Sequence, residues 1–286
     1  MKKSTIGQRL VCVFNWGAAL LLLIISVFSY LPFHPLALLA VLSLVVPLLI
    51  IANLLFMLFW LLKRNGRFLY SLVVLAMAYI SFGSFYHFGG EGQSPLGTDL
   101  KLMTYNVWGF NKNEWIKMPN IGEDIVDFIK EQDPDILCIQ EHSRERYRQL
   151  RHFPYRSETP YSAKRTVQAI FSKYPIIGQG SLDLPGTINN IIFADIVHGR
   201  DTLRVYNVHL QSFRIVPSTA SFADGRRSER TYQRLVSTFT KQLEQAKIFR
   251  DHLDSSPYRT VVPGISTIPS SPTSTRSSGG TFRIAF

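Results

Sequence analysis

Residues 133–141, "DPDILCIQE", decide how this chain folds. Ile136 to Ile139 are apolar without alternation and follow the turn residues Asp133, Pro134 and Asp135, which predicts a buried strand. Its polar residues, Gln140 and Glu141, come last. Just upstream, "IGEDIVDFIKEQ" (121–132) places Ile121, Ile125, Phe128 and Ile129 on one helical face, and the Asp-Pro-Asp step ends that helix. Further upstream, "LKLMTYNVWG" (100–109) is an extended run closing in a turn. Downstream, "VQAIFSKYPI" (167–176), "NNIIFADIV" (189–197) and "LRVYNVHL" (203–210) read as strands, with Gly199 to Asp201 as the turn between the last two. A long helix is expected over roughly 228–253, with Leu235, Phe239, Leu243, Ala246 and Phe249 facing inward. "YRTVV" (258–262) then reads as a short buried strand behind the turn residues Asp254, Ser255, Ser256 and Pro257. Such alternation predicts an α/β domain over residues 99–262, layered or sandwiched.

The N-terminal third has a different composition. Within the 286 residues, Leu10–Tyr30, Leu36–Leu62 and Phe68–Tyr86 are apolar runs of roughly the 20 residues that a bilayer requires. A cleaved secretory signal would have one shorter core and a small-residue cleavage site, so three transmembrane helices over residues 1–90 are expected instead. "MKKSTIGQR" and "KRNGR" are basic, whereas "LPFHP" carries no Lys or Arg. The positive-inside rule therefore predicts a multi-pass protein of the cell membrane with a cytoplasmic N-terminus and an extracytoplasmic globular domain. Asn15, alone within the first run, suits a helix contact better than a transport site. "GGEGQSPLG" supplies a flexible linker over 91–98.

Charge narrows the partners only loosely. The formal net charge is +11, but residues 1–98 hold six basic side chains and one acidic, leaving 25 basic against 19 acidic in the remainder. That mild excess fits a phosphate-bearing partner and an ordinary solvated surface alike. Cys12 and Cys138 suggest neither a disulfide framework nor a metal cluster. No protein partner is indicated.

Polar residues gather where three predicted strands end: Asn106, Gln140 with Glu141, and Asn207 with His209. A carboxylate and a carboxamide are oxygen ligands suited to Mg²⁺, a hard cation for which Mn²⁺ can substitute. A metal there would polarise a phosphoryl oxygen and position water. A neighbouring histidine can move a proton or hold an oxyanion. Each residue also has a plain structural reading: Asn106 closing a turn, Glu141 a surface carboxylate, His209 a hydrogen-bonded strand residue.

Taken in order, "MTYNVWG", a helix, "DPDILCIQE", "AIFSKYPI" and "VYNVHLQS" resemble the endonuclease/exonuclease/phosphatase superfamily. This superfamily includes deoxyribonuclease I-like nucleases, apurinic endonucleases, neutral sphingomyelinases and inositol polyphosphate phosphatases. The resemblance covers residues 99–262 and implies a four-layer α/β sandwich of two packed mixed sheets flanked by helices. It also implies that Asn106 and Glu141 are metal ligands and that His209 assists at the scissile phosphate. Asn207 occupies the asparagine position of an "N-T-H-L" motif and is a further catalytic candidate. The implied activity is metal-dependent hydrolysis of a phosphate ester, in nucleic acid, phospholipid or a soluble compound.

The last segment departs from that pattern. A strand like "YRTVV" leads, in the family, into Gly-Asp-x-Asn and later an Asp-His pair; here Gly264 is followed by "ISTIP". The codons GGG ATT TCA ACA ATA CCN encode Gly264 to Pro269, and reading each codon one base earlier gives GAT TTC AAC AAT ACC, Asp-Phe-Asn-Asn-Thr. The same shift permits Phe-Ser-Tyr-Val-Tyr over Ser271–Thr275 and Gly-Asp-Leu-Gln-Asp-Ser-Phe over Gly280–Phe286. Residues 263–286 are therefore expected to be out of frame, the competing reading being a disordered Ser/Thr/Pro tail. As written, the chain is expected to be a membrane-anchored phosphoesterase that is inactive in this truncated form. The alternative is a non-catalytic membrane-anchored binding module with a genuine low-complexity tail.

Overall fold

Buried runs and alternating runs of sequence separate into two mixed sheets. In the computed structural model, which describes residues 6–28, 42, 44–82, 100–212, 225–263 and 284–285, β1 (Leu102–Asn106) and β2 (Ile136–Gln140) run parallel, with Asn106 opposite Gln140. Every residue of β2 is buried, which is why its apolar side chains do not alternate with polar ones. β3 (Tyr155–Glu158) and β4 (Ala169–Ser172) extend this sheet antiparallel on one side. On the other, the two-residue β9 (Ile284–Ala285) pairs only with Leu102 and Met103. The order is β3-β4-β2-β1-β9.

The second sheet contains β5 (Ile176–Asp183), β6 (Asn190–His198), β7 (Asp201–Val208) and β8 (Arg259–Val261), in that order. Gly199, at φ 64°, makes the tight turn between β6 and β7, a conformation that L side chains resist. The register shifts between Ile176 and Gly178. At Gly178 a Cβ would lie 2.5 Å from Asp195 Oδ2, so the bulge needs glycine there. Asp195 itself accepts two bonds from Arg204, at 2.6 and 2.8 Å.

Side-chain contacts set the layers. Val126 and Ile129 of α4 (Ile121–Gln132) pack with Met103, Leu137, Ile139 and Phe171 on one face of the first sheet. Its other face presents Leu102, Ile136, Cys138 and Ile170 to Ile192, Ala194, Ile196 and Val205 of the second sheet. Beyond the second sheet, Leu184, Ile191 and Tyr206 meet Phe249 and Leu253 of α5 (Gly225–Asp254). Each such buried apolar side chain contributes about 1.5–3 kcal/mol. The stacking order is therefore helix, sheet, sheet, helix.

Several expectations shift by a residue or a face. The inward side of α4 is Gly122, Val126 and Ile129, while Phe128 is exposed and lies edge-on against Tyr105. β8 is an edge strand, its residues exposed or half-buried, not the buried strand expected. The long helix runs three residues earlier and one later than expected, and its most buried positions beyond Phe239 include Gln242 and Gln245. β3 was not anticipated. The linker 91–98 and residues 264–283 of the tail lie outside the described residues.

The chain divides into two compact units, one containing the N-terminal helices and the other the two sheets. Only α1 (Ile6–Phe28), at 23 residues, is long and apolar enough to cross a membrane among the described residues. α2 (Val46–Leu62) and α3 (Phe68–Phe82) are apolar but only 17 and 15 residues long. Three full spans were expected and only one is present among the described residues; the start of the expected second run and the last four residues of the third lie outside them. Asn15 of α1 donates to Ser71 Oγ of α3 at 2.7 Å and accepts from Trp60 Nε1 of α2 at 3.1 Å. It is a helix contact, as its isolation predicted.

Candidate active site

Parallel pairing of β1 and β2 brings Asn106 and Gln140 level, and the next residue, Glu141, turns out of the sheet with φ 51°. A left-handed conformation at a non-glycine residue is sterically unfavourable by about 1–2 kcal/mol. Neighbouring backbone bonds hold it in place: Gly109 N–H donates to Glu141 O at 2.8 Å, and His142 N–H to Val167 O at 2.8 Å. The turn sends the Glu141 carboxylate toward Asn106, whose Nδ2 donates to Oε1 at 3.1 Å. Asn106 Oδ1 accepts from Trp108 N–H at 3.0 Å.

The third strand end comes from the other sheet. His209, just beyond β7, places Nε2 3.6 Å from Glu141 Oε1. Its side chain is 12% exposed, against 30% for Glu141, so a ligand would reach the carboxylate more readily than the ring. Burial lowers the His209 pKa, and the Glu141 carboxylate opposes that shift. A neutral imidazole has one donor and one acceptor nitrogen, and here Nδ1 is buried with no hydrogen-bond partner. Nε2, which faces Glu141, is therefore the nitrogen through which the ring can exchange a proton with a ligand.

Asn207 is placed differently from these three. It is fully buried, donates to Ile139 O at 2.8 Å and Ala169 O at 3.2 Å, and accepts from Gln140 Nε2 at 2.6 Å. Gln140 also donates to Thr104 Oγ1 at 3.0 Å. The amide pair thus joins the ends of β2 and β7 across the two sheets, one residue before Glu141 and two before His209.

Sequence reasoning missed the residues that fix His209. His209 N–H donates to Asn190 O at 3.3 Å, and Asn189 Nδ2 donates to Leu210 O at 2.6 Å. Gln242 Nε2 donates to Gln211 O, and Gln245 Oε1 accepts from Gln211 N–H. The doubled asparagine opening "NNIIFADIV" and the two inward glutamines of the long helix were the available signals. Polar residues at otherwise apolar positions are kept buried only when hydrogen-bonded.

For a metal, the donors present are the Glu141 carboxylate and the Asn106 carboxamide oxygen. Among the described residues no three His, Cys, Asp or Glu side chains gather as a metal cluster. Two such oxygens fit Mg²⁺, which keeps several waters and takes few protein ligands.

The Endonuclease/Exonuclease/phosphatase family matches residues 103–259, and a domain of unknown function (DUF8431) matches residues 8–85. No curated protein matches the chain. Solved structures similar to it include a D. rerio TDP2 humanized by 14 mutations, at 13% identity and TM-score 0.41 over 58% of this chain and 64% of that one. SmcL is similar at 14% identity and TM-score 0.40 over 58% and 62%. ANGEL2, a 2′,3′-cyclic phosphatase, is similar at 15% identity and TM-score 0.33 over 40% and 42%. The chain thus spans less than two thirds of the length of each of these. The family match takes in more than half of the chain and contains every residue of the Asn106–Glu141–His209 group, so the chain belongs to the endonuclease/exonuclease/phosphatase family.

Proposed function

We propose that this chain is, by lineage, a membrane-anchored, divalent-metal-dependent phosphoesterase. One observation carries the chemistry: Asn106, Glu141 and His209 arrive from strands of two sheets, with Asn106 3.1 Å and His209 3.6 Å from the Glu141 carboxylate. Asn106 and Glu141 would hold Mg²⁺, which when bound supplies charge stabilisation at a phosphoryl oxygen. Neutral His209 moves a proton at the phosphate or donates to its oxygen. Asn207, joined to Gln140, positions Glu141 and His209 and is shielded from substrate by its burial. Membrane anchoring is supported by the length of α1 and by an inverted pattern in the helical unit. There Asn15, Asn53 and Ser71 are buried, whereas Leu10, Phe14, Leu55 and Ile80 are exposed.

We further infer that residues 263–286 are read out of frame, so that Ile265 and Thr267 stand where the family places an aspartate and an asparagine. Isoleucine has no polar atom, and a threonine hydroxyl lacks a carboxamide's reach, so the attacking water has no group to orient it. The base sequence around codon 263 tests this directly, and an intact frame sinks it. In a frame-corrected chain, Mg²⁺-dependent hydrolysis of a generic phosphodiester is expected, and Glu141→Gln should reduce it at least a hundred-fold. Glu145→Gln, on the adjoining segment, should change it less than two-fold. Equal effects would remove Glu141 from the site.

A further inference from the structure

Four large apolar side chains in the segment that follows β1 are left open to solvent. Trp108 is 52% exposed, Trp115 59%, Ile116 45% and Met118 63%. Trp108 is also bonded to the site, since its N–H donates to Asn106 Oδ1. The indoles of Trp108 and Trp115 stack with centroids 5.0 Å apart and planes 14° from parallel.

The base of this lip is pinned. Trp108, Gly109, Phe110 and Asn111 have φ of 45°, 66°, 56° and 58° in succession, a left-handed run that persists only where its surroundings over-determine it. Phe110 anchors the run, 2% exposed in the core, and Gly109 N–H is fixed to Glu141 O. The Asn111 side chain then closes the loop, donating to Ile116 O at 2.8 Å and accepting from Ile116 N–H at 3.0 Å. Residues 112–120 are exposed throughout, and Lys117 lies between the two aliphatic residues.

We propose that this lip, residues 108–118, docks into the interfacial layer of a lipid bilayer. Tryptophan favours that layer because its ring is apolar and its N–H is not. Ile116 and Met118 have no π-face to offer a nucleobase but suit acyl chains, and Lys117 can keep its ammonium at the headgroup level. The proposal rests on the membrane-anchoring reading above. The 19 residues between Phe82 and Leu102 reach at most on the order of 65 Å, so an anchored domain meets the bilayer at a high effective concentration. A preformed apolar lip needs no ordering at that encounter. The site would thereby face phosphate esters at the membrane surface.

The full chain, reconstituted in phosphatidylcholine vesicles containing phosphatidylglycerol, can be labelled with a phosphatidylcholine carrying a diazirine high on its acyl chain. Adducts mapped by mass spectrometry should fall on α1 and on 108–118, and Trp108→Ser with Trp115→Ser should lower the latter at least five-fold. Labelled α1 with an unlabelled lip overturns the docking and leaves the anchor standing. An unlabelled α1 with a labelled lip overturns the anchor alone. If a 5-bromouracil oligonucleotide crosslinks to the lip in preference to lipid, the lip is instead a base-stacking shelf and the proposal fails. The unmodified chain answers each point, so misfolding of the variant cannot obscure the result.

Discussion

At the scale of single residues, His142 shows how closely the site borders the core. Its ring lies among Phe110, Tyr147 and Phe171, and both nitrogens are buried without partners. Burial, reinforced by the positive charges of Arg144 and Arg156, lowers its pKa to about 3. The folded state therefore keeps His142 neutral while the unfolded chain takes up a proton as pH falls past about 6.5. Stability is present above that value and is lost below it, by about 1.4 kcal/mol per pH unit for one proton. Urea midpoints between pH 6.5 and 5 should drop more steeply for the native chain than for His142→Phe; parallel profiles would show that His142 is protonated when folded. Glu141 and His209 were legible in the sequence because each ends an apolar strand with a polar residue. The buried glutamines and Asn189–Asn190 were not, since their partners are backbone groups far away in the chain.

Among elements, one polar side chain joins all three helices of the helical unit, beside their apolar cluster. Asn15 bonds both Ser71 and Trp60, whereas Asn53 donates only to Leu49 O within its own helix. Interhelical polar contacts in apolar surroundings contribute about 0.6–2 kcal/mol. Asn15→Leu should lower the denaturation midpoint in detergent, and Asn53→Leu should lower it less; the reverse order would mean that the three helices do not meet through Asn15. Strand identity was largely readable from apolar runs bounded by turns. Orientation was less so: periodicity placed Ile125 and Ile129 of α4 against the core as found, but it weighed Phe128 as apolar, whereas Gly122 can sit inward only by having no side chain. The segment 258–262 looked like a core strand from Val261 and Val262, and only pairing reveals that β8 lies at an edge among the described residues.

For the whole molecule, the chain divides into two compact units whose boundary is not the boundary of composition, since residues 225–240 of α5 group with the N-terminal helices and 241–254 with the sheets. Of the three spans expected, one is long enough among the described residues, and the other two expected runs extend into residues outside them. A reporter active only outside the cytoplasm, fused after Gly97, is expected to give signal if the basic N-terminal and 63–67 segments stay inside; silence would reverse the orientation. The left-handed residues around the site carry one more consequence. At Phe110 and Asn111 the core contact and the loop-closing bonds would be lost with the side chain, so glycine gains nothing there. Glu141, 30% exposed, is different, because glycine would relieve its left-handed backbone by on the order of 1 kcal/mol while giving up little packing. Selection for thermal tolerance alone would favour that one change, and it would disarm the protein by removing the carboxylate.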